Sequence, residues 1–207
     1  MLITFEGLDG VGKSTQIHKL ADFLRHQGYD DLVLTREPGG TKGAEAIRAL
    51  LLEQPKDMWD AREELLLYSV ARHHHIRTLI QPALDEGKLV LCDRFFDSSM
   101  VYQGYAVKES REILDAVHRI SVGQMKPDLT VLLDLDPHKS IERTEKRGAL
   151  NRIEQKGADF FIKVREGFLS LAEAEPERII VFDAERAVDE LATQIQAVVL
   201  KHLESQS

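Results

Sequence analysis

Five short apolar runs punctuate the chain: Leu2 to Phe5, Leu32 to Leu34, Leu89 to Cys92, Leu129 to Leu135 and Ile179 to Phe182. Between them lie longer segments of helical periodicity, at Lys13 to His26, Thr41 to Glu53, Ala61 to Glu86, Glu109 to Val122, Pro137 to Arg147, Phe160 to Glu173 and Val188 to Leu203. Short strands alternating with longer helices are the pattern of a parallel sheet with crossover helices. The expectation is an α/β fold, a five-stranded parallel sheet flanked by helices, forming one domain over 1–207. Pro82 removes an amide donor inside the third helix and is expected to kink or end it near Ile80. Residues 142–156 are dense in charge, include Gly148 and carry no apolar stripe, so they are expected to form a short mobile lid.

Composition narrows the class. At 207 residues, 43% hydrophobic and 30% charged, the chain has the makeup of a compact globular protein. A formal net charge of −8 argues against broad nucleic-acid binding and requires any anion site to be local. The single Cys92 excludes an intrachain disulfide, and neither a leader-like segment nor an apolar run long enough for a membrane is visible. A soluble protein of the cytoplasm is expected, with neither membrane nor nucleic acid as partner.

The first strand runs into Gly7-Leu8-Asp9-Gly10-Val11-Gly12-Lys13-Ser14, which matches G-x-x-x-x-G-K-[ST] between a strand and a helix, as that motif requires. Its glycines let backbone amides wrap phosphate oxygens and the helix start adds positive potential. Lys13 is expected on the β and γ phosphates, and the Ser14 hydroxyl on magnesium. A chance match in a chain this long is roughly 1%. The cradle does not say which triphosphate enzyme this is, but an N-K-x-D base-reading motif is missing, which disfavours a GTPase.

The third strand ends in Asp93-Arg94, an acid and a base at the sheet edge where ligands of open α/β folds bind. Asp93 is expected to orient magnesium or its waters, and Arg94 to clamp a phosphate with its planar fork. After the second strand, Thr35-Arg36-Glu37-Pro38-Gly39-Gly40-Thr41 reads as a tight turn presenting Arg36 and Glu37 toward the same edge. Tyr68 and Arg72 are four apart on one predicted helix and share a face. His73, His74 and His75 point to different faces and are expected on solvated helix surface.

These segments together, Gly7 to Thr15, the T-R-E-P-G-G run, Asp93-Arg94 with Asp97-Ser98-Ser99, Tyr102-Gln103-Gly104 and Arg152-Ile153-Glu154, resemble the signature set of bacterial thymidylate kinases in the family's order. The resemblance spans nearly the whole chain. It implies a P-loop kinase fold, ATP as phosphoryl donor with Mg²⁺, dTMP as acceptor, and a homodimer. By position, Arg36, Arg72 and Arg94 would contact the dTMP phosphate, and Asp9 the sugar 3'-hydroxyl. Tyr68 would stack on thymine, while Ser98, Tyr102 and Gln103 line the sugar and base pocket. Gly7 to Thr15 would hold ATP, with Arg143 packed on adenine, and Ser14, Asp93 and Glu37 would organise magnesium.

Two departures stand out. Tyr105-Ala106-Val107-Lys108-Glu109 replaces the glycine- and arginine-rich loop of many relatives, and Gly10 stands where the eukaryotic-like subgroup has an arginine. The transition-state arginine is therefore expected from the lid, with Arg152 favoured and Arg147 as its neighbour. The mechanism implied is in-line transfer by alignment and charge neutralisation, with Lys13, Arg94, Arg152 and Asp9 as the working residues. A deoxynucleoside kinase would need a base for a neutral hydroxyl and fewer phosphate arginines; a noncatalytic nucleotide-binding regulator would lack lid arginines.

Overall fold

The computed structural model describes residues 1–55, 57–148 and 150–205. Five strands, β1 (Leu2–Gly7), β2 (Leu32–Arg36), β3 (Leu89–Asp93), β4 (Leu129–Asp134) and β5 (Ile179–Asp183), form one sheet in the order β2-β3-β1-β4-β5. Every pairing is parallel, with Phe5 opposite Asp93 and Val131. That register brings the ends of β1 and β3 side by side.

Alternation along the strands sends residues to two cores. Ile3, Phe5, Leu89 and Leu91 pack with α1 (Lys13–His26), α8 (Ala158–Ala174) and α9 (Val188–Ser205). Leu2, Val90 and Cys92 face the other way, toward Ile76, Ile80 and Phe95. Helices therefore cover both faces, as a parallel sheet requires.

Around the sheet ends lie α2 (Lys42–Leu52), α3 (Ala61–His75), α4 (Gln81–Asp85), α5 (Phe96–Ser99), α6 (Arg111–Ser121) and α7 (Pro137–Arg147). Asp60 starts α3 through a capping box with Glu63. The helix expected over Ala61 to Glu86 is instead three pieces. A π turn at Ile76–Ile80, closed by Gln81 N–H on Ile76 O, rewinds the backbone before Pro82 enters the first turn of α4. The extra residue in the turn lets the chain pass the missing proline donor without ending the helix.

A second π turn, Met100–Tyr105, follows α5. Hydrophobic periodicity does not reveal α5 or this turn, since Asp97, Ser99, Tyr102 and Gln103 are buried polar or mixed side chains here. His75 is also a correction: it is fully buried, bonded to Thr35 Oγ1 at 2.7 Å and to Glu37 at 3.2 Å.

Position 149 of the expected lid lies outside the described residues, as do 206 and 207. On either side of it the segment 142–156 is structured. The helix α7 reaches Arg147, and after it Arg152, Ile153 and Glu154 are buried. Asn151 Oδ1 accepts from the amides of Ile153 and Glu154, fixing that arm into a 3₁₀ turn at Glu154–Lys156.

Candidate active site

The cradle is built by backbone. Gly12 caps α1 at φ 98 with no side-chain partner for the first amides, and a Cβ there would meet nothing within 4 Å. The helix start is thus left open to an anion. Leu8 and Val11 bury their side chains, leaving their backbone to face a phosphate, while Ser14 and Thr15 are exposed. Lys13 Nζ donates to Leu8 O at 2.8 Å and Gly7 O at 3.3 Å. Burial and the nearby Arg94 hold its pKa below the ordinary lysine value.

Gly10, at φ 73, accounts for the second departure from the wider family. A Cβ there would lie 3.0 Å from Thr144 Oγ1 and 3.1 Å from Ser140 O, because α7 packs directly on the loop. Ser140 Oγ also donates to Asp9 O at 2.6 Å.

Ser14 Oγ donates to Asp93 Oδ2 at 3.0 Å, while Asp93 Oδ1 is buried with no partner among the described residues. A buried carboxylate oxygen without a donor, next to a hydroxyl at the cradle mouth, fits a magnesium ion, which takes oxygen ligands and keeps several from phosphate and water. Among the described residues no group of three His, Cys, Asp or Glu forms a protein-only metal site. Glu37 is not brought to this pair: its two carboxylate oxygens bind Arg72 Nε at 2.6 Å and His75 Nδ1 at 3.2 Å.

At the boundary between cradle and cleft, Arg94 Nη2 donates to Asp9 Oδ1 at 2.9 Å and Nη1 to Ser98 Oγ at 3.1 Å. Burial pushes Asp9 up, but Arg94, Lys13 and Arg147 outweigh it and hold its carboxyl below the usual range. The guanidinium also lies 5.2 Å from the Tyr102 ring centroid.

Behind it sits Glu6, a residue that sequence reasoning missed. Its carboxylate accepts from Phe95 N–H at 2.8 Å and from Ser98 Oγ at 2.6 Å. Burial and the neighbouring Asp97 push its pKa up to about 7, against Arg94, Ser98 and Phe95 pulling it down. Arg94 itself has a left-handed backbone, φ 67, uncommon for a side chain of this size.

A cleft open to solvent adjoins the cradle, and its lining mixes polar, charged and aromatic side chains. Asp9, Tyr68, Arg72, Arg94, Ser98, Tyr102 and Gln103, all expected from sequence, line it together. The Tyr102 hydroxyl is buried without a hydrogen-bond partner among the described residues, a donor left for a ligand. Arg72 is 3% exposed, its charge matched by Glu37, with Ser99 Oγ at 3.0 Å and Phe95 O at 3.1 Å.

Arg36 is not brought in; it lies exposed, paired with Glu45 at 2.8 Å. Arg48, absent from the sequence expectations, does line the cleft and donates to Pro38 O at 2.7 Å. Nothing in its local sequence separates it from a surface helix arginine.

Of the lid arginines, Arg143 is exposed on α7 with its Cβ against Gly10, and Arg147 is 60% exposed, ion-paired to Glu154. Arg152 is not brought to the cradle. It is 1% exposed, with Nε on Leu51 O at 2.8 Å and Nη1 on Glu64 Oε1 at 2.8 Å. Its acid partner lies 88 residues earlier, where no local pattern in the charge-rich stretch points to it.

A phosphate cradle opening onto a second polar cleft, with Asp9 and Arg94 shared between them, defines a P-loop kinase of small molecules. A family model described as thymidylate kinase matches residues 5–195. This chain belongs to the thymidylate kinase family.

Among curated relatives, a thymidylate kinase of Ruegeria pomeroyi is 44% identical over 204 residues, covering 98% of this chain and 96% of the relative. That of Dinoroseobacter shibae is 47% identical over 197 residues, covering 95% and 94%. The crystal structure of a thymidylate kinase from Ehrlichia chaffeensis superposes with a TM-score of 0.77 at 32% identity, covering 97% of this chain and 98% of that one.

Proposed function

We propose that the chain transfers the γ-phosphoryl group of ATP to dTMP, giving ADP and dTDP, by in-line displacement between cradle and cleft. The observation that carries this is the Asp9–Arg94 contact at 2.9 Å, where the two sites meet. Gly7 to Thr15 hold the triphosphate and Lys13 reaches its β and γ phosphates. Ser14 and Asp93 would hold Mg²⁺, which would supply neutralisation of the phosphate charge. Arg94 exchanges its contact with Asp9 for the acceptor phosphate, freeing Asp9 to accept from the sugar hydroxyl.

The dTMP phosphate is an anion at neutral pH, so no general base and no covalent intermediate is needed. Of the three arginines that family position puts on the phosphate, Arg94 is the principal one, because Arg36 is engaged by Glu45 and Arg72 by Glu37. Tyr68 stacks on the base, with Ser98, Tyr102 and Gln103 around the sugar and base. The end of α7, residues 142–148, acts as the lid, bringing Arg143 to adenine and Arg147 toward the phosphates, while the buried Arg152, Ile153 and Glu154 stay with the cleft wall.

A homodimer is supported by apolar residues on α2 and α3, where Leu50, Leu66 and Val70 are 43%, 51% and 58% exposed. A cytoplasmic setting accords with one buried cysteine. The experiment is an assay of purified protein with ATP, Mg²⁺ and a panel of nucleoside monophosphates together with thymidine. Turnover is expected with dTMP; preference for thymidine would replace this reading with a nucleoside kinase.

A further inference from the structure

Glu64 stands in the first turn of α3 at 2% exposure, and no step of the transfer uses it. A carboxylate survives out of water only where cations and donors meet it. Glu64 Oε1 binds Arg152 Nη1 at 2.8 Å and Lys156 Nζ at 2.8 Å, while Oε2 accepts from Gln103 Nε2 at 3.2 Å. The partners come from separate parts of the chain that meet at one end of the acceptor cleft.

Gln103 lines that cleft from the second π turn. Arg152 is flanked by Asn151 and Ile153, both cleft residues, and its Nε is bonded to Leu51 O beside a third, Leu52. Tyr68 follows Glu64 by one helical turn and lines the cleft too. One buried carboxylate thus holds together walls supplied by α2, α3, the π turn and the arm after the lid.

We propose that Glu64 is a positioning residue that, through Arg152 and Lys156, latches residues 150–156 against the acceptor cleft and so builds the dTMP pocket. Arg152 then acts on acceptor binding through the pocket wall, not on the reacting phosphates. The inference rests on the reading of this cleft as the dTMP site.

The test is dTMP calorimetry and steady-state kinetics on Glu64→Gln, Arg152→Gln, Arg152→Lys and the Glu64→Gln/Arg152→Gln double variant, with Tyr68→Ala as a cleft control. Each glutamine single is expected to raise Kd and KM for dTMP about tenfold or more while kcat stays within about threefold. The double is expected to bind no worse than the weaker single, because the two residues form one interaction, and Arg152→Lys to recover part of the loss.

If either single strands a buried charge and fails to fold, the double, which carries neither charge, decides on the same Kd. Unchanged dTMP affinity in the folded variants overturns the latch. So does an Arg152→Gln enzyme that binds dTMP normally but loses kcat. If Tyr68→Ala leaves dTMP affinity intact, the cleft assignment itself fails, a result distinct from either.

Discussion

Arg94 reaches Asp9 at 2.9 Å from a left-handed backbone, φ 67, so the guanidinium at the meeting point of the two sites is held by a conformation that the chain must support elsewhere. Support comes from β1, where Phe5 O accepts Arg94 N–H at 2.9 Å and Glu6 accepts the next amide at 2.8 Å. Strand, cradle and clamp are one hydrogen-bonded unit.

Removing that clamp should separate phosphate from nucleoside recognition. In calorimetry, Arg94→Ala is expected to weaken dTMP by about tenfold or more and thymidine hardly at all, since guanidinium-to-phosphate contacts are charge-assisted. Arg72→Ala should weaken both ligands, because its nitrogens already bind Glu37, Ser99 and Phe95 O and its loss disturbs the cleft wall. A selective loss of dTMP in Arg72→Ala would instead assign it to the phosphate.

Lys13→Ala is expected to cut kcat by about 10²-fold or more, because in the proposed reaction the position serves the transferred phosphoryl group. Its depressed pKa means that the empty protein gains little from the charge, so the melting temperature should stay within roughly 3 °C of wild type. Near-normal turnover in a folded variant would sink the cradle assignment.

Glu6 should make stability depend on pH. Its folded pKa of about 7 lies above the ordinary 4.5, so the folded state binds the proton more tightly. The resulting stabilisation is complete below pH 4.5 and is lost as pH rises through about 7, with a ceiling on the order of 3 kcal/mol. Urea melts between pH 5 and 8 should show wild type losing stability relative to Glu6→Gln over that window. Parallel profiles for the two proteins would contradict the shift.

Arg147 is 60% exposed and helps hold Asp9 ionised, so in the proposed reaction it is the lid arginine assigned to the phosphates. Arg147→Ala is expected to lower kcat and kcat/KM together by about 10²-fold, with dTMP affinity kept, as for a group that acts in the transition state. A loss under about threefold would mark it as a solvated lid charge.

Local chemistry made much of this site legible. A strand, a glycine-rich turn and a lysine at fixed spacing can fold in only a few ways, so the cradle, its helix and the strand ending in Asp93 were readable from Gly7 to Ser14 and Leu89 to Arg94 alone. The five strands were readable for the same reason, since a buried parallel strand leaves an apolar run. By contrast, α5 and the π turn holding Tyr102 and Gln103 carry buried polar groups, and no local pattern marks a side chain satisfied by distant partners.

By itself, then, the sequence determined the sheet, the phosphate cradle and the family to which its spaced motifs belong, all properties set by residues near one another in the chain. Only the tertiary structure decided which charges are available. Arg152 is taken by Glu64, Glu37 by Arg72 and His75, and Arg36 by Glu45, while Arg48 and Glu6 enter the site unannounced. The physical reason is that an ion's availability depends on what lies within a few ångströms of it, and in this fold those neighbours come from distant parts of the chain, as Phe95 does for Glu6 across 89 residues and Leu51 for Arg152 across 101.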